Sequence, residues 1–452
     1  MMTKGIRLSI GDSLALEREA ILELVQTDAC RNLIRMFFLQ EHAKKFSVIS
    51  RESKPVAHVA VIGAGVMGAG IAQWLGAKGL PVILRDINAE QVAKGMASIA
   101  KIYRDSVKRH VFTAREARDG MDKIYPAPGE VPLPHIDLVI EAAVENLELK
   151  KKIFQRLDEL AGEETILATN TSALPVSDLA ATTRHPERVL GLHFFNPVHR
   201  MQLVEIIAAR HTSPEVLQRA VKFAQSIGKL PVVVKDSPGF LVNRILMPYL
   251  VEAGNLFECG ADITALDEAM LDFGMPMGPM RLMDEVGLDV ALHVTETLAA
   301  KFSDRMSIPD CLRKMTAESM LGRKNGRGFY LHDKSKEAIL NQRAKAFTRN
   351  ELAHLLPREV LQERMAFLMV NEAVRCLEEQ LVTGPADIDF AMIMGTGFAP
   401  FRGGPLRYAD SLGSAKLVGA MEHLVDDGAA HFAPCALLRS MARDGRKFYP
   451  NS

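Results

Sequence analysis

From Val56 to about Lys235, short apolar and β-branched runs alternate with segments of helical periodicity. The runs are HVAVI, PVILRDI, IDLVIEAA, TILATN, RVLGLHFFN, QLVEII and LPVVVKD. Such alternation predicts an α/β, doubly wound sheet of mainly parallel strands with helices on its faces. Upstream, residues 14–45 carry apolar positions at helical spacing. Leu33, Phe37 and Phe38 fall on one face, and Lys44–Lys45 stand near the end, where cations suit the helix dipole. The polar stretch Ser50–Lys54, closed by Pro55, reads as a linker. Beyond Pro238 the strand pattern gives way to helical spacing.

That helical part is internally duplicated. NRILMPYLVEAGNLFECGADITALDEAM aligns with ERMAFLMVNEAVRCLEEQLVTGPADIDFAM, and MGPMRLMDEVGLD with RGGPLRYADSLGS. Each copy closes on a similar phrase, Gly326-Arg-Gly-Phe-Tyr330 and Gly445-Arg-Lys-Phe-Tyr449. Glu252 matches Glu372 at an offset of 120 (372 − 252), and Asp284 matches Asp410 at 126 (410 − 284), so small insertions separate the copies. The expected division is a helical N-terminal stretch 1–53, a sheet domain 54–235, and two helical repeats, 236–345 and 346–452. Most repeat residues are expected to form a rigid all-α body.

Composition narrows the class without naming a function. Hydrophobic residues make up 48% and charged residues 24%, as in ordinary globular proteins. The 55 basic and 55 acidic side chains cancel, so no global field favours nucleic acid or an acidic membrane. Five scattered cysteines without a CxxC pair argue against a disulfide framework or zinc site; no metal is expected. The first twenty residues lack the pattern of a signal or transit peptide, and no apolar run reaches membrane-spanning length. The expected location is cytoplasmic.

Candidate chemistry begins at Gly63-Ala-Gly65-Val-Met67-Gly68, which follows the run His58–Ile62 and opens a helical segment. In that context the first glycine permits a tight turn, the second lets a pyrophosphate approach the backbone, and the third lets helix and strand pack closely. The pyrophosphate then meets free N–H groups at the helix start. Asp86 ends the next run, where a carboxylate would accept hydrogen bonds from ribose hydroxyls and repel a 2′-phosphate, favouring NAD over NADP. An isolated fingerprint would also admit FAD, although nothing else suggests a flavin enzyme. The run Ile136–Ala142 ends in Glu141-Ala-Ala143-Val144-Glu145-Asn146, with Lys150 and Lys151 on the following helix. These residues either line the nicotinamide half of the site or, for Glu145 and Lys150, form a solvated pair at a helix start.

His193 lies in an apolar run, and Glu205 comes twelve residues later (205 − 193) in another. If the two runs form an antiparallel hairpin turning near His199, these side chains fall opposite each other. A carboxylate would then orient an imidazole base for removing a hydroxyl proton. By spacing alone, a satisfied core histidine is the plainer reading.

Five motifs in register change that balance. Gly191-Leu-His193-Phe-Phe-Asn196-Pro197 through Met201-Gln-Leu-Val-Glu205 resembles the active-site signature of the 3-hydroxyacyl-CoA dehydrogenases. Asn170-Thr-Ser172, Glu145-Asn146, Ser237-Pro-Gly-Phe240-Leu-Val-Asn243-Arg244 and the glycine loop with Asp86 resemble its other landmarks, in the same order. The resemblance runs from about Pro55 to the end. The doubled helical part is similar to the dehydrogenase half of bacterial and mitochondrial multifunctional enzymes of fatty-acid oxidation. RNLIRMFFLQEHAKK resembles the connector after their enoyl-CoA hydratase domain. Hydratase activity is not expected of these residues, which hold no counterpart of that domain.

The resemblance implies His193 as general base and Glu205 as its carboxylate, with Ser172 and Asn243 on the substrate's hydroxyl and thioester oxygens. It implies Asn196 near the nicotinamide, NAD contacts from Gly63, Gly65, Met67, Gly68, Asp86, Ala143, Val144, Glu145, Lys150 and Ser172, and a substrate contact at Tyr408. Three of these have a structural alternative: Ser172 as a helix N-cap, Asn243 as a polar residue at a helix mouth, Tyr408 as a brace between the repeats. The methionines around Met275–Met283 either line an acyl channel or pack in the core.

Three other readings stand beside this one. They are a dehydrogenase of non-thioester hydroxy acids, a silent dinucleotide-binding protein, and a subunit docking with a hydratase or thiolase partner. Homodimerisation stays open, as does acyl-chain length.

Overall fold

A computed structural model describes residues 6, 8–50, 53–333, 339–349 and 356–450. The N-terminal stretch forms two helices, α1 (Ile10–Val25) and α2 (Asp28–Lys45). They part at Thr27, whose hydroxyl caps α2 by accepting from Cys30 N at 3.2 Å. The apolar face that carries Leu33, Phe37 and Phe38 is open: these residues are 50%, 58% and 63% exposed, and α1 buries no residue. The opposite side of α2 buries Asn32, Met36 and Ala43.

The sheet domain runs β1 (Val59–Ile62), α3 (Val66–Ala77), β2 (Val82–Asp86), α4 (Ala89–Lys108), α5 (Ala114–Met121) and β3 (Ile124–Pro128). It continues with β4 (Leu138–Glu141), α6 (Leu147–Leu160), β5 (Ile166–Thr169), α7 (Val176–Ala180), β6 (Val189–Phe194), β7 (Leu203–Ala208), α8 (Pro214–Ser226) and β8 (Leu230–Lys235). Strand order is β3-β2-β1-β4-β5-β6-β7-β8. The order reverses between β1 and β4, and in doubly wound sheets the ligand crevice opens at the carboxyl ends of strands beside such a switch.

The eight-stranded sheet departs from the seven apolar runs by one strand. β3, with sequence IYPAP, carries two prolines and escaped the strand pattern. It pairs only with β2, with Pro126 and Pro128 on the same side of the alternation. An edge strand tolerates missing N–H donors on the side that has no partner. The hairpin considered about His199 is present in the otherwise mainly parallel sheet: β7 runs antiparallel to β6, and β8 runs parallel to β7.

The helical part comprises α9 (Val242–Glu258), α10 (Ile263–Phe273), α11 (Pro279–Val286), α12 (Leu288–Lys301) and α13 (Asp310–Ala317). Its second half comprises α14 (Arg358–Glu378), α15 (Pro385–Thr396), α16 (Pro405–Leu412), α17 (Ser414–Asp426) and α18 (Ala436–Asp444). A small hairpin, β9 (Tyr330–Leu331) with β10 (Ile339–Leu340), interrupts the all-helical pattern. The central helices α9 and α14 are cross-linked reciprocally. Arg244 Nε donates to Glu372 Oε1 at 2.7 Å, and Arg364 Nε to Glu252 Oε1 at 2.7 Å. One continuous apolar core joins both repeats and takes in Met275, Met280 and Met283, which are 3% exposed or less. These three methionines pack in the core.

Candidate active site

The loop after β1 has the shape a dinucleotide needs. Gly63 has φ +104°, and a Cβ there would meet Ala142 O at 2.5 Å. A Cβ on Gly68 would collide with the Gly63 carbonyl oxygen, whereas one on Gly65 would project into open space. That open cradle, at the start of α3, fits a pyrophosphate against free N–H groups. Asp86 is half-buried at the end of β2. Its Oδ2 accepts from Ala64 N at 2.6 Å and its Oδ1 from Ile87 N at 2.7 Å, which fixes the carboxylate beside the loop. Met67 is half-buried and packs against the sheet core.

At the end of β4, Glu141 is fully buried and gathers four hydrogen bonds from three donors. It accepts from Lys150 Nζ at 2.7 and 2.9 Å, Ala143 N at 2.7 Å and Thr169 Oγ1 at 2.7 Å. Lys150 is therefore neither half of a solvated pair nor openly presented to a ligand. It is 1% exposed, its ammonium held by Glu141 and the Ala143 carbonyl, with Glu145 Oε2 at 3.6 Å. The acid and the base stand on opposite sides of a strand-to-helix turn, and desolvation of both is offset by their pairing. Glu145 reaches the next loop, accepting from Thr171 Oγ1 at 2.6 Å and Ser172 N at 2.8 Å. Val144 is exposed at the mouth of this turn.

The β6–β7 ladder places His193 directly opposite Glu205. His193 Nδ1 lies 2.7 Å from Glu205 Oε2, and both side chains are buried, at 5% and 0% exposure. The other oxygen, Oε1, accepts from Leu241 N at 3.0 Å and Val242 N at 2.9 Å, the first free N–H groups of α9. A carboxylate that accepts two backbone donors has only acceptor capacity left for the imidazole. Nδ1 then carries the proton and Nε2 holds the free lone pair. Phe195 and Phe240 lie against the ring, with centroids at 4.5 and 5.7 Å.

Asn243, in the first turn of α9, donates from Nδ2 to Ser172 O at 3.0 Å. Ser172 does not open α7, so the N-cap alternative does not describe it; α7 begins at Val176, after Pro175. His193, Glu205, Asn243, Ser172, Glu145 and Lys150 thus belong to one connected set of contacts spanning sheet and helical parts. Asn170 Oδ1 joins it by accepting from Phe194 N at 2.8 Å. Asn196 stands exposed in the loop beyond β6. Lys229 anchors that loop through the carbonyls of Val198 and Met201 (2.7 Å to the latter). Burial, with the nearby Lys78 charge, pushes its ammonium down to about 8.

Tyr408 sits at the joint between the repeats. It is 7% exposed and packs edge-on against Phe273 of the first repeat, at 5.1 Å and 89°. The bracing alternative fits this environment. Sequence reasoning passed over Lys229, placed Glu141 only among residues that could line the nicotinamide half, and gave Arg244 no role of its own. A charged residue within an apolar run was the only available signal, and it does not reveal the partner.

Comparisons with known proteins agree with this geometry. Residues 58–237 match the family described as 3-hydroxyacyl-CoA dehydrogenase, NAD binding domain. Residues 239–332 and 361–449 match the 3-hydroxyacyl-CoA dehydrogenase, C-terminal domain, so the helical duplication is recognised twice over. The chain is 39% identical over 452 residues to a fatty acid oxidation complex subunit alpha of Shewanella amazonensis. That alignment takes in 99% of this chain but 64% of the relative's length. A crystal structure of an Escherichia coli 3-hydroxybutyryl-CoA dehydrogenase is similar at TM-score 0.76 and 29% identity, covering 87% of this chain and 99% of that one. An (S)-3-hydroxybutyryl-CoA dehydrogenase of Ralstonia eutropha gives TM-score 0.58 and 40% identity, covering 62% of this chain and 100% of that one.

Proposed function

The chain belongs to the 3-hydroxyacyl-CoA dehydrogenase family and is an NAD-dependent dehydrogenase; from that premise we propose that it oxidises (3S)-3-hydroxyacyl-CoA to 3-ketoacyl-CoA in fatty-acid oxidation, with His193 as base. The observation that carries the assignment is the buried 2.7 Å contact between His193 Nδ1 and Glu205 Oε2. NAD, when bound, supplies the hydride acceptor. Gly63, Gly65 and Gly68 make room for its pyrophosphate, Asp86 receives the adenine ribose, and Glu145 lines the far half, with Lys150 fixing that wall from behind.

His193 Nε2 removes the proton from the substrate's 3-hydroxyl. Glu205 keeps the Nδ1 proton and offsets the positive charge that the ring acquires. Ser172 and Asn243 hold the hydroxyl and thioester oxygens from the two walls of the cleft, and Asn196 stands on the nicotinamide side. Phe195 and Phe240 keep water from the imidazole and hold its plane.

The test is NADH oxidation with acetoacetyl-CoA by the protein and by His193→Ala. The variant is expected to lose a factor of roughly 10² to 10⁴ in turnover while still binding NADH. Undiminished turnover would remove His193 as the base.

A second reading concerns partners. The uncovered apolar faces of α1 and α2 favour a subunit that docks with a hydratase or thiolase. Size-exclusion chromatography of the protein alone and mixed with each enzyme separates this from self-association; elution as a lone monomer in every mixture would withdraw it.

A further inference from the structure

The loop that supplies Glu205 with its two backbone donors is held from the second repeat, which contributes no residue to the catalytic set. Residues 236–241 join β8 to α9. At one end, Lys235 N donates to Leu381 O at 2.8 Å, and Leu381 follows α14. At the other end stands Arg244, fully buried in the first turn of α9. Its backbone N donates to Gly239 O at 3.1 Å, and its Nη1 to Ser237 Oγ at 3.1 Å. Between these ties the chain passes through φ +70° at Gly239 and +54° at Phe240. Positive φ at a phenylalanine persists only where the surroundings hold it. Phe240 is one of the two rings that lie against His193, and the next two residues supply the N–H groups for Glu205.

Arg244 is itself held by carboxylates of α14. Glu372 Oε1 accepts from Nε at 2.7 Å, and Glu379 Oε2 lies 2.8 Å from Nη1. Arg305 ties the same two acids together, with Nη1 at 3.2 Å from Glu372 and Nη2 at 3.2 Å from Glu379. Both guanidinium groups lie against the Phe302 ring, at 4.5 and 4.7 Å.

We infer that Glu372, supported by Glu379, is a positioning residue for the reaction: through Arg244 it fixes the Ser237–Val242 turn that orients Glu205 and hence His193. The second repeat then does for the catalytic pair what a buried packing surface does for a fold. It removes the freedom of a strained turn at the point where displacement would cost rate. The inference rests on His193 acting as the base.

The repeats contain their own control. Arg364–Glu252 mirrors Arg244–Glu372 at the same 2.7 Å distance, but Arg364 begins no catalytic turn. Glu372→Gln and Glu252→Gln each weaken a buried ion pair, so each is expected to lower thermal stability. Only Glu372→Gln is expected to reach the chemistry. It should lower kcat by on the order of tenfold through misplacement of the base, with little change in the KM for NADH. With its N–H donors loosened, Glu205 concentrates more charge on the imidazole, so the acid limb of the kcat/KM profile should move to higher pH.

Where Glu372→Gln fails to fold, the half-exposed Glu379→Gln takes its place, with the same shift expected at smaller size. A Glu372→Gln or Glu379→Gln profile that overlays that of Glu252→Gln at matched folded fraction overturns the inference. His193→Ala separates the two levels. If that variant is inactive and the Glu372→Gln profile is unmoved, the positioning role alone falls; if it is active, the reading beneath falls first.

Discussion

The two helical repeats share a scaffold and differ in what they present to the sheet domain. Asp267 in the first accepts from Met280 N at 2.8 Å and from the Tyr330 hydroxyl at 2.6 Å. Asp389 in the second accepts from Leu406 N at 2.8 Å and from the Tyr449 hydroxyl at 2.6 Å. Asp284 receives Phe329 N and Tyr330 N, and Asp410 receives Phe448 N and Tyr449 N. These are ties that close each repeat on itself, and both copies keep them. The positions that face the sheet domain do not match. Asn243 precedes Arg244 and reaches Ser172, whereas Glu363 precedes Arg364 and is exposed. Both copies keep what folds a repeat, whereas only the copy that follows β8 reaches Ser172 at this position.

The sharpest way to break this contrast is to truncate the same position in both copies. Asn243→Ala removes a side chain placed against Ser172 at the cleft and should lower kcat/KM on the order of 10²-fold, as loss of one aimed donor does. Glu363→Ala should leave kinetics and stability unchanged, since the side chain is solvated. Steady-state assays with acetoacetyl-CoA decide it. Equal losses would mean that the second copy also meets substrate, and equal indifference would remove Asn243 from the site.

A smaller effect sharpens the shared half of the comparison. Burial pushes the Asp389 carboxyl up to about 7 and that of Asp267 up to about 6, against the help of the tyrosine hydroxyls. For a carboxyl whose folded value is raised, the folded chain retains a proton that the unfolded chain has already released. The associated stability is complete below the unfolded value and is lost as pH rises through the folded one. Urea midpoints should therefore fall between about pH 4 and pH 7 from this source. Asp389→Asn should flatten that fall, and Asp267→Asn should flatten it less, the difference being about 1.4 kcal/mol per unit of separation. A difference between variant and parent that is constant with pH would show that these acids do not titrate in that range.

The facing of His193 and Glu205 was legible because strands alternate with a period of two. Once β6 and β7 are read as antiparallel about His199, register alone brings 193 opposite 205. The glycine loop was legible for a similar reason, since its three positions have separate steric tasks that the structure assigns to the same residues. β3 was not, because prolines suit a strand only once its place at the sheet edge is known. Lys150 and Arg244 were misplaced or missed for a deeper reason. Sequence shows a charged residue, but its burial depends on partners elsewhere, Glu141 across a turn and Glu372 in the other repeat. The break between α1 and α2 turns on a single threonine cap inside a continuous helical pattern.

The smallest expected effect falls on Tyr408, where a role in substrate contact and a role in joining the repeats make different demands on one hydroxyl. The ring is buried against Phe273 and Phe398, with the Arg402 guanidinium 5.3 Å from its centre. Packing of that kind uses the ring and is indifferent to the oxygen. Tyr408→Phe should then leave the KM for acyl-CoA unchanged and alter stability by about 0.5 kcal/mol or less, the usual size for a change that touches no buried partner. Tyr408→Ala should cost about 3–5 kcal/mol by opening a cavity between the repeats, again without a specific change in KM at temperatures where the variant is folded. A several-fold rise in KM for Tyr408→Phe, at unchanged stability, would place the hydroxyl on the substrate and give the second repeat a direct share in the cleft.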